Sequence, residues 1–190
     1  LNVLVDKLPT SIEVDGKTYE INSDFRICLR IIIMFEDPEL VMPEKQILML
    51  RLLYKEIPSN IDKASKMAIR FLNCGEILTD GTISENRLYS FEKDSKYIYS
   101  GIKQSHNIDL EQIEYLHWWK FALLFLDLRE DCFFNKIIYL RSQKAKGKLT
   151  KEEKELYYSL KDIVVLPEKF EEDEEVVINE FMEKLNIENN

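Results

Sequence analysis

This 190-residue chain has little of what most chemistry requires. It holds two histidines, His106 and His117, although metal centres and general-base sites rest on histidine more than on any other residue. It holds five glycines, too few for a glycine-rich phosphate loop, and no G-x-x-x-x-G-K pattern occurs. G-x-S-x-G, H-E-x-x-H and C-x-x-C are absent too. Carboxylates are so plentiful that a pair of them carries no signal. Three cysteines, Cys28, Cys74 and Cys132, lie far apart, are odd in number and lack metal-ligand spacing. They read as free thiols in a reducing compartment. No catalytic, metal or cofactor site is therefore assigned.

A basic stripe is also missing. Net charge is −9, and the last residues, 168–190, hold nine acidic and two basic side chains, a net of −7. Such a balance argues against nucleic acid, whose phosphates need neutralising, and against anionic membrane surfaces. No long apolar run exists. The most apolar stretch, "YLHWWKFALLFLDL" (115–128), has about eleven apolar-rich residues interrupted by His117 and Lys120, where a membrane span needs about 20. "LNVLVDKLPT" has no basic start and breaks at Pro9, unlike a signal peptide. The expectation is a soluble, cytoplasmic protein.

A chain of this length can bury about 70% of its unfolded surface without staples. The organisation expected is a helical domain with an N-terminal β-hairpin over 1–167, then an acidic linker and a short amphipathic helix over 168–190. The fold class is mainly α: short antiparallel helices plus the hairpin. In "SIEVDGKTYEI", Asp15-Gly16 separates two alternating runs, a strong hairpin signal. A two-residue turn pairs Val14 with Lys17 and Ile12 with Tyr19, placing Ile12, Val14, Tyr19 and Ile21 on one face. "NVLV" is expected to add a third strand. A lone hairpin is marginal in water and must lie on something.

Helices follow. Ser23 or Asp24 caps the first, with a stripe of Cys28, Ile31, Ile32 and Phe35, and Pro38 ends it. Pro43 opens the second, carrying Ile47, Leu50 and Tyr54. Asn60 caps the third, with Ile61, Ala64, Ala68 and Phe71 and a C-terminal Gly75. Asp80-Gly81 reads as a small hairpin turn or a loop. Ser90 is expected to cap a helix running to His106, and Asp109 with Gln112 to open the one holding 115–128. Next comes a helix over about 131–143. Thr150 with Glu153 is a capping box, followed by Leu156, Tyr157, Leu160 and Val164. "EKFEEDEE" is a charge run, and "VVINEFMEKLNI" puts Val177, Phe181, Met182 and Leu185 on one helical face.

On a helix, His117 has Glu114 at i−3 and Lys120 at i+3. Either they form a proton-transfer site or a polar seam, and no nucleophile or second ligand lies near in sequence. Trp118 and Trp119 point about 100° apart, so the helix is apolar around most of its circumference and is expected to be buried on nearly all sides. Both tryptophans are core, or one lies in a partner groove. The tail helix folds onto its own domain or docks on another copy, giving a homo-oligomer. The candidate partner-binding residues are His117, Trp118, Trp119, Lys120, Val177, Phe181, Met182 and Leu185.

Several phrases resemble a family of small proteins from tailed phages and Gram-positive prophages that is known by a gene-product number, fifteen. They are "NVLVDKLPTSIEVDGKTYEINSDFR", "FLNCG", "YSFEKDSKYIYSGI", "IDLEQIEYLHWWKFALLFLDL" and "IIYLRS", in that order from Asn2 to about Pro167. Residues beyond Pro167, and 76–88, fall outside the resemblance. It implies a tail-assembly chaperone acting in the bacterial host cytoplasm, without enzymatic activity, on the tape-measure protein or other tail proteins. A tail-completion or head-to-tail connector protein retained in the particle is the alternative it implies.

Overall fold

The computed structural model describes residues 2–76 and 88–167. The Asp80-Gly81 turn and the acidic tail, with Val177, Phe181, Met182 and Leu185, lie outside the described residues. The fold is mainly α with one antiparallel hairpin. Two compact units divide it, one within 1–77 and one within 78–167.

In the first unit, β1 (Ser11–Val14) and β2 (Lys17–Glu20) pair Val14 with Lys17 and Ile12 with Tyr19, as the turn requires. Asp15 and Gly16 both adopt positive φ, the geometry of a tight primed turn. Ile12, Val14, Tyr19 and Ile21 are buried. Three helices follow, α1 (Phe25–Glu36), α2 (Met42–Leu53) and α3 (Ile61–Leu72). α1 packs on α2, α2 on α3, and α3 on β1.

The surface under the hairpin comes from α3 and the end of α2. Ile21 bridges Tyr54, and the Asn22 amide donates to the Leu53 carbonyl at 2.7 Å. Tyr54 stands edge-on to Tyr19 with centroids 6.3 Å apart, and its hydroxyl donates to the Ala64 carbonyl of α3. At the turn, Asp15 accepts from Asn60 and Lys63 at the start of α3. Both neighbours hold its carboxyl below the usual carboxylate range, Lys63 most strongly.

"NVLV" is not a third strand. Residues 2–6 form a turn in which the Asn2 backbone amide donates to the Asp6 carboxylate. Local side-chain bonding of this kind competes with strand pairing. Val3, Leu4 and Val5 are left exposed. Asp24 caps α1 by accepting from the Arg26 amide, and Asn60 caps α3 by accepting from Lys63. Two expected stripes hold except at one end each. Leu50 and Tyr54 are buried at the second helix and Ala64, Ala68 and Phe71 on α3, while Ile47 and Ile61 face outward and Lys45, Met49 and Leu53 join the buried side of α2.

The second unit contains α4 (Ser95–His106), α5 (Trp118–Leu126), α6 (Phe133–Ala145), α7 (Lys151–Ser159) and α8 (Lys161–Val164). α4 packs on α5 and α6, and α8 on α6 and α7. Ile137, Leu140, Leu149, Tyr157 and Val164 form a core cluster. The Thr150–Glu153 capping box is present in full. α4 starts four residues later than expected. Ser90 begins a separate turn, its hydroxyl accepting from the Lys93 amide and its carbonyl from the Asp94 amide. Of the stripe after Thr150, Tyr157 and Val164 join the core with Leu160 packed against it, whereas Leu156 is exposed.

Arg141 of α6 is buried against Asp94, the N-cap residue of α4. Its guanidinium makes two bonds to the carboxylate, at 2.6 and 2.9 Å. The other donors reach the carbonyls of Val164, Leu88 and Ile163. All five guanidinium N–H groups are thereby matched. Asp94 also accepts from the Ser90 amide.

Candidate functional site

Eight of the nine residues of α5, WWKFALLFL, are apolar. The helix starts at Trp118 rather than near Asp109. The Asp109 carboxylate accepts from the Tyr99 hydroxyl, from Lys103 at 2.9 Å and from the Glu111 amide. These bonds tie it to α4 and a local turn, so it does not cap a new helix. The Tyr99 hydroxyl, then Lys103, holds that carboxyl below its ordinary range.

His117 is the N-cap instead. It is buried, and its Nδ1 accepts from the Trp119 amide at 3.1 Å. A carbonyl-like acceptor at this position satisfies one of the four N–H groups that a helix start leaves unpaired. The cap requires the tautomer with a bare Nδ1. Glu114 precedes the helix and is exposed, so Glu114, His117 and Lys120 do not form one helical stripe.

Trp118 and Trp119 are both buried, at 4% and 6% exposure. A ladder of rings runs along α5 from Trp118. It stacks on Phe121 at 5.8 Å between centroids, and Phe121 stacks on Phe125 at 6.5 Å. Phe125 meets Tyr89, Phe91 and Phe134 at 5.2, 5.2 and 5.6 Å. Offset and tilted ring pairs at such distances each add about 0.5–1.5 kcal/mol beyond their buried area. The C-terminal end of α5 is held from α4. His106 Nε2 lies 2.8 Å from the Leu124 carbonyl, and the Ser105 hydroxyl accepts from the Arg129 amide. A carbonyl only accepts, so Nε2 carries the hydrogen.

Burial all round does not hold. Leu123 is 50% and Leu126 78% exposed, and Lys120 is exposed with them. At spacings of three they lie along the outward side of α5. The sequence cannot reveal which side of an almost uniformly apolar helix faces out, because no polar stripe marks it. This outward leucine pair beside Lys120, on a helix fixed by its ring ladder and two histidines, is the candidate functional surface. It can offer an apolar contact; it presents no reacting group.

Among the described residues, no group of three or more His, Cys, Asp or Glu could hold a metal ion, and no helix is long and apolar enough to cross a membrane. Cys28 and Cys132 are buried, and burial pushes the Cys28 thiol well up and the Cys74 thiol up to about 11. Neither is poised as a nucleophile.

No curated protein and no solved structure matches the chain. A family model described as Bacteriophage Gp15 protein matches residues 4–166, which takes in both compact units and the whole of α5. The order of phrases from the hairpin to α6 and this match agree, and the chain belongs to the Bacteriophage Gp15 protein family.

Proposed function

We propose that this phage protein is a non-enzymatic tail-assembly chaperone that binds the tape-measure protein, the tail-tube protein or both in the host cytoplasm. The observation that carries the reading is the outward apolar side of α5, where Leu123 and Leu126 are solvent-exposed on a rigidly held helix. A tape measure is a long helical protein that exposes apolar stripes until a tube encloses it. An apolar helix side is the natural counterpart of such a stripe. The net charge of −9 keeps a complex of apolar faces dispersed by mutual repulsion. Membership in a phage family supplies the setting.

Co-expression with the tape-measure protein, followed by pull-down, tests the reading. Capture is expected from the native chain and lost from a Leu123→Ser, Leu126→Ser variant that remains folded. Capture unaffected by that variant would remove α5 from the interface, and no capture at all would remove the tape measure as partner. Mass spectrometry of purified particles separates the structural alternative, because a connector stays in stoichiometric amounts and a chaperone leaves.

A further inference from the structure

The charges at the two ends of α5 run against its own dipole. Its first turn holds a base, Lys120, and no acid, and its C-cap is an acid, Asp127, with no base in the last turn. A helix favours the opposite order, carboxylates at its N-terminus and cations at its C-terminus. α2 and α3 obey that order, with Glu44 and Asp62 in their first turns and Arg51 and Arg70 in their last. Both α5 charges are exposed, and among the described residues neither has an ion-pair partner. Their own helix is not stabilised by them.

These charges border the outward leucines. Lys120, Leu123 and Asp127 follow at i, i+3 and i+7, so they form one ridge, with Leu126 beside it. Lys120 and Asp127 lie seven residues apart, about 10.5 Å along the axis. From end to end the ridge reads cation, apolar, anion, and it matches itself when reversed. An antiparallel copy, turned about a two-fold axis level with residues 123 and 124, sets each Lys120 opposite an Asp127. The same operation brings the two Leu123 side chains together and places each Leu126 between the Lys120 stem and Leu123 of the other copy. A parallel copy would set like charges together. An isologous contact requires a self-complementary patch of this kind.

We infer that α5 pairs antiparallel with α5 of a second copy of this chain, through Lys120, Leu123, Leu126 and Asp127. The nine-residue helix is about 13.5 Å long, so its contact falls well below the roughly 800 Å² per partner of a standard interface. The dimer is therefore weak and reversible. Salt weakens it further, because its ion pairs are exposed. The pairing uses the same side of α5 as the proposed function but does not rest on it, since the isolated chain suffices to test it.

Sedimentation equilibrium of the full chain, with no tail protein present, tests the inference. Reversible dimerisation is expected at about 10–100 µM protein in low salt. Lys120→Glu and Asp127→Lys each set like charges opposite one another and should weaken it at least tenfold. Both substitutions suit the helix dipole, so both variants keep their fold, with circular dichroism as the check. A one-to-one mixture of the two variants restores two pairs of opposite charge and should associate about as tightly as the native chain. A native chain that stays monomeric at that concentration overturns the inference. So does dimerisation that either single substitution leaves unchanged, or a mixture that stays monomeric.

Discussion

Arg141 and Asp94, 47 residues apart, meet as a two-point ion pair in which the carboxylate is completely buried and the guanidinium nearly so. The remaining guanidinium donors bind main-chain carbonyls that flank the pair in space, at Leu88, Ile163 and Val164. One side chain on α6 thus fixes the turn before α4 and the end of α8. The planar fork suits this role, since a lysine could supply neither the bidentate geometry nor five fixed donors.

Removing either partner leaves an unpaired charge inside the second unit. Arg141→Met and Asp94→Asn are each expected to destabilise by about 3–5 kcal/mol in urea titrations. Arg141→Lys should recover only a minor part of the loss. A double variant, Arg141→Met with Asp94→Leu, should cost less than the sum of its singles, because no orphaned charge remains.

Stability and binding should separate on α5. Trp118→Ala and Trp119→Ala each remove a buried ring and are expected to cost about 3–5 kcal/mol. Leu126→Ser removes an exposed side chain and should change stability by less than about 0.5 kcal/mol. Thermal melts set beside pull-down of the tape-measure protein measure both quantities. A tryptophan variant that melts normally but loses the partner would transfer that ring to the interface.

His117→Leu should lose about 1 kcal/mol with the cap, and His117→Asn should retain most of it, since an amide oxygen also accepts from the first turn. Chemical denaturation of the two variants side by side reads the difference. An equal loss in both would show that His117 acts through packing, not through Nδ1.

Gly101 sits inside α4, and a methyl group there would meet Leu128 at 3.5 Å and Cys132 at 3.7 Å, ordinary contact distances. Gly101→Ala should therefore raise stability by about 0.5–1 kcal/mol, the helix-propensity difference, with a higher melting temperature as the readout. A loss would mean that α4 packs there without tolerance.

Alkaline pH should unfold the protein progressively. Burial raises Cys28 and Cys74 above the ordinary thiol value of 9.0 and pushes Tyr54 up from 10.0 to about 12. The unfolded chain releases these protons first, so stability is intact below pH 9 and falls as pH rises through 9–12. At the acid end the signs reverse. Asp15, Glu20, Asp109, Asp131 and Glu153 are held below their ordinary values by bonded neighbours, so their contributions disappear as pH falls through the carboxylate range. Asp15, Glu20 and Asp131 are exposed and Asp109 and Glu153 half-buried, so the acid effect is small and salt-sensitive. Denaturant midpoints from about pH 2 to about pH 12 would trace both limbs.

Where bonding partners are local, the sequence determined the structure. Asp15-Gly16 set the hairpin register, Asp24 and Asn60 capped their helices, Thr150 and Glu153 closed a capping box, and Pro38 stopped α1. Each depends on a side chain and a backbone group within a few residues, so spacing alone states the bond. The family, too, was readable from ordered phrases.

What only the tertiary structure decided depends on partners distant in sequence. Asp109 looks like a helix cap and serves Tyr99 and Lys103 instead, which moves the start of α5 to His117. The outward side of α5 was hidden because eight apolar residues in nine leave no polar stripe to mark solvent. Nothing in the sequence marks Arg141 and Asp94 as partners, since a buried ion pair leaves no periodic signature. Burial belongs to whatever packs against a residue, and in this chain those neighbours are set by helix contacts that no short window of sequence contains.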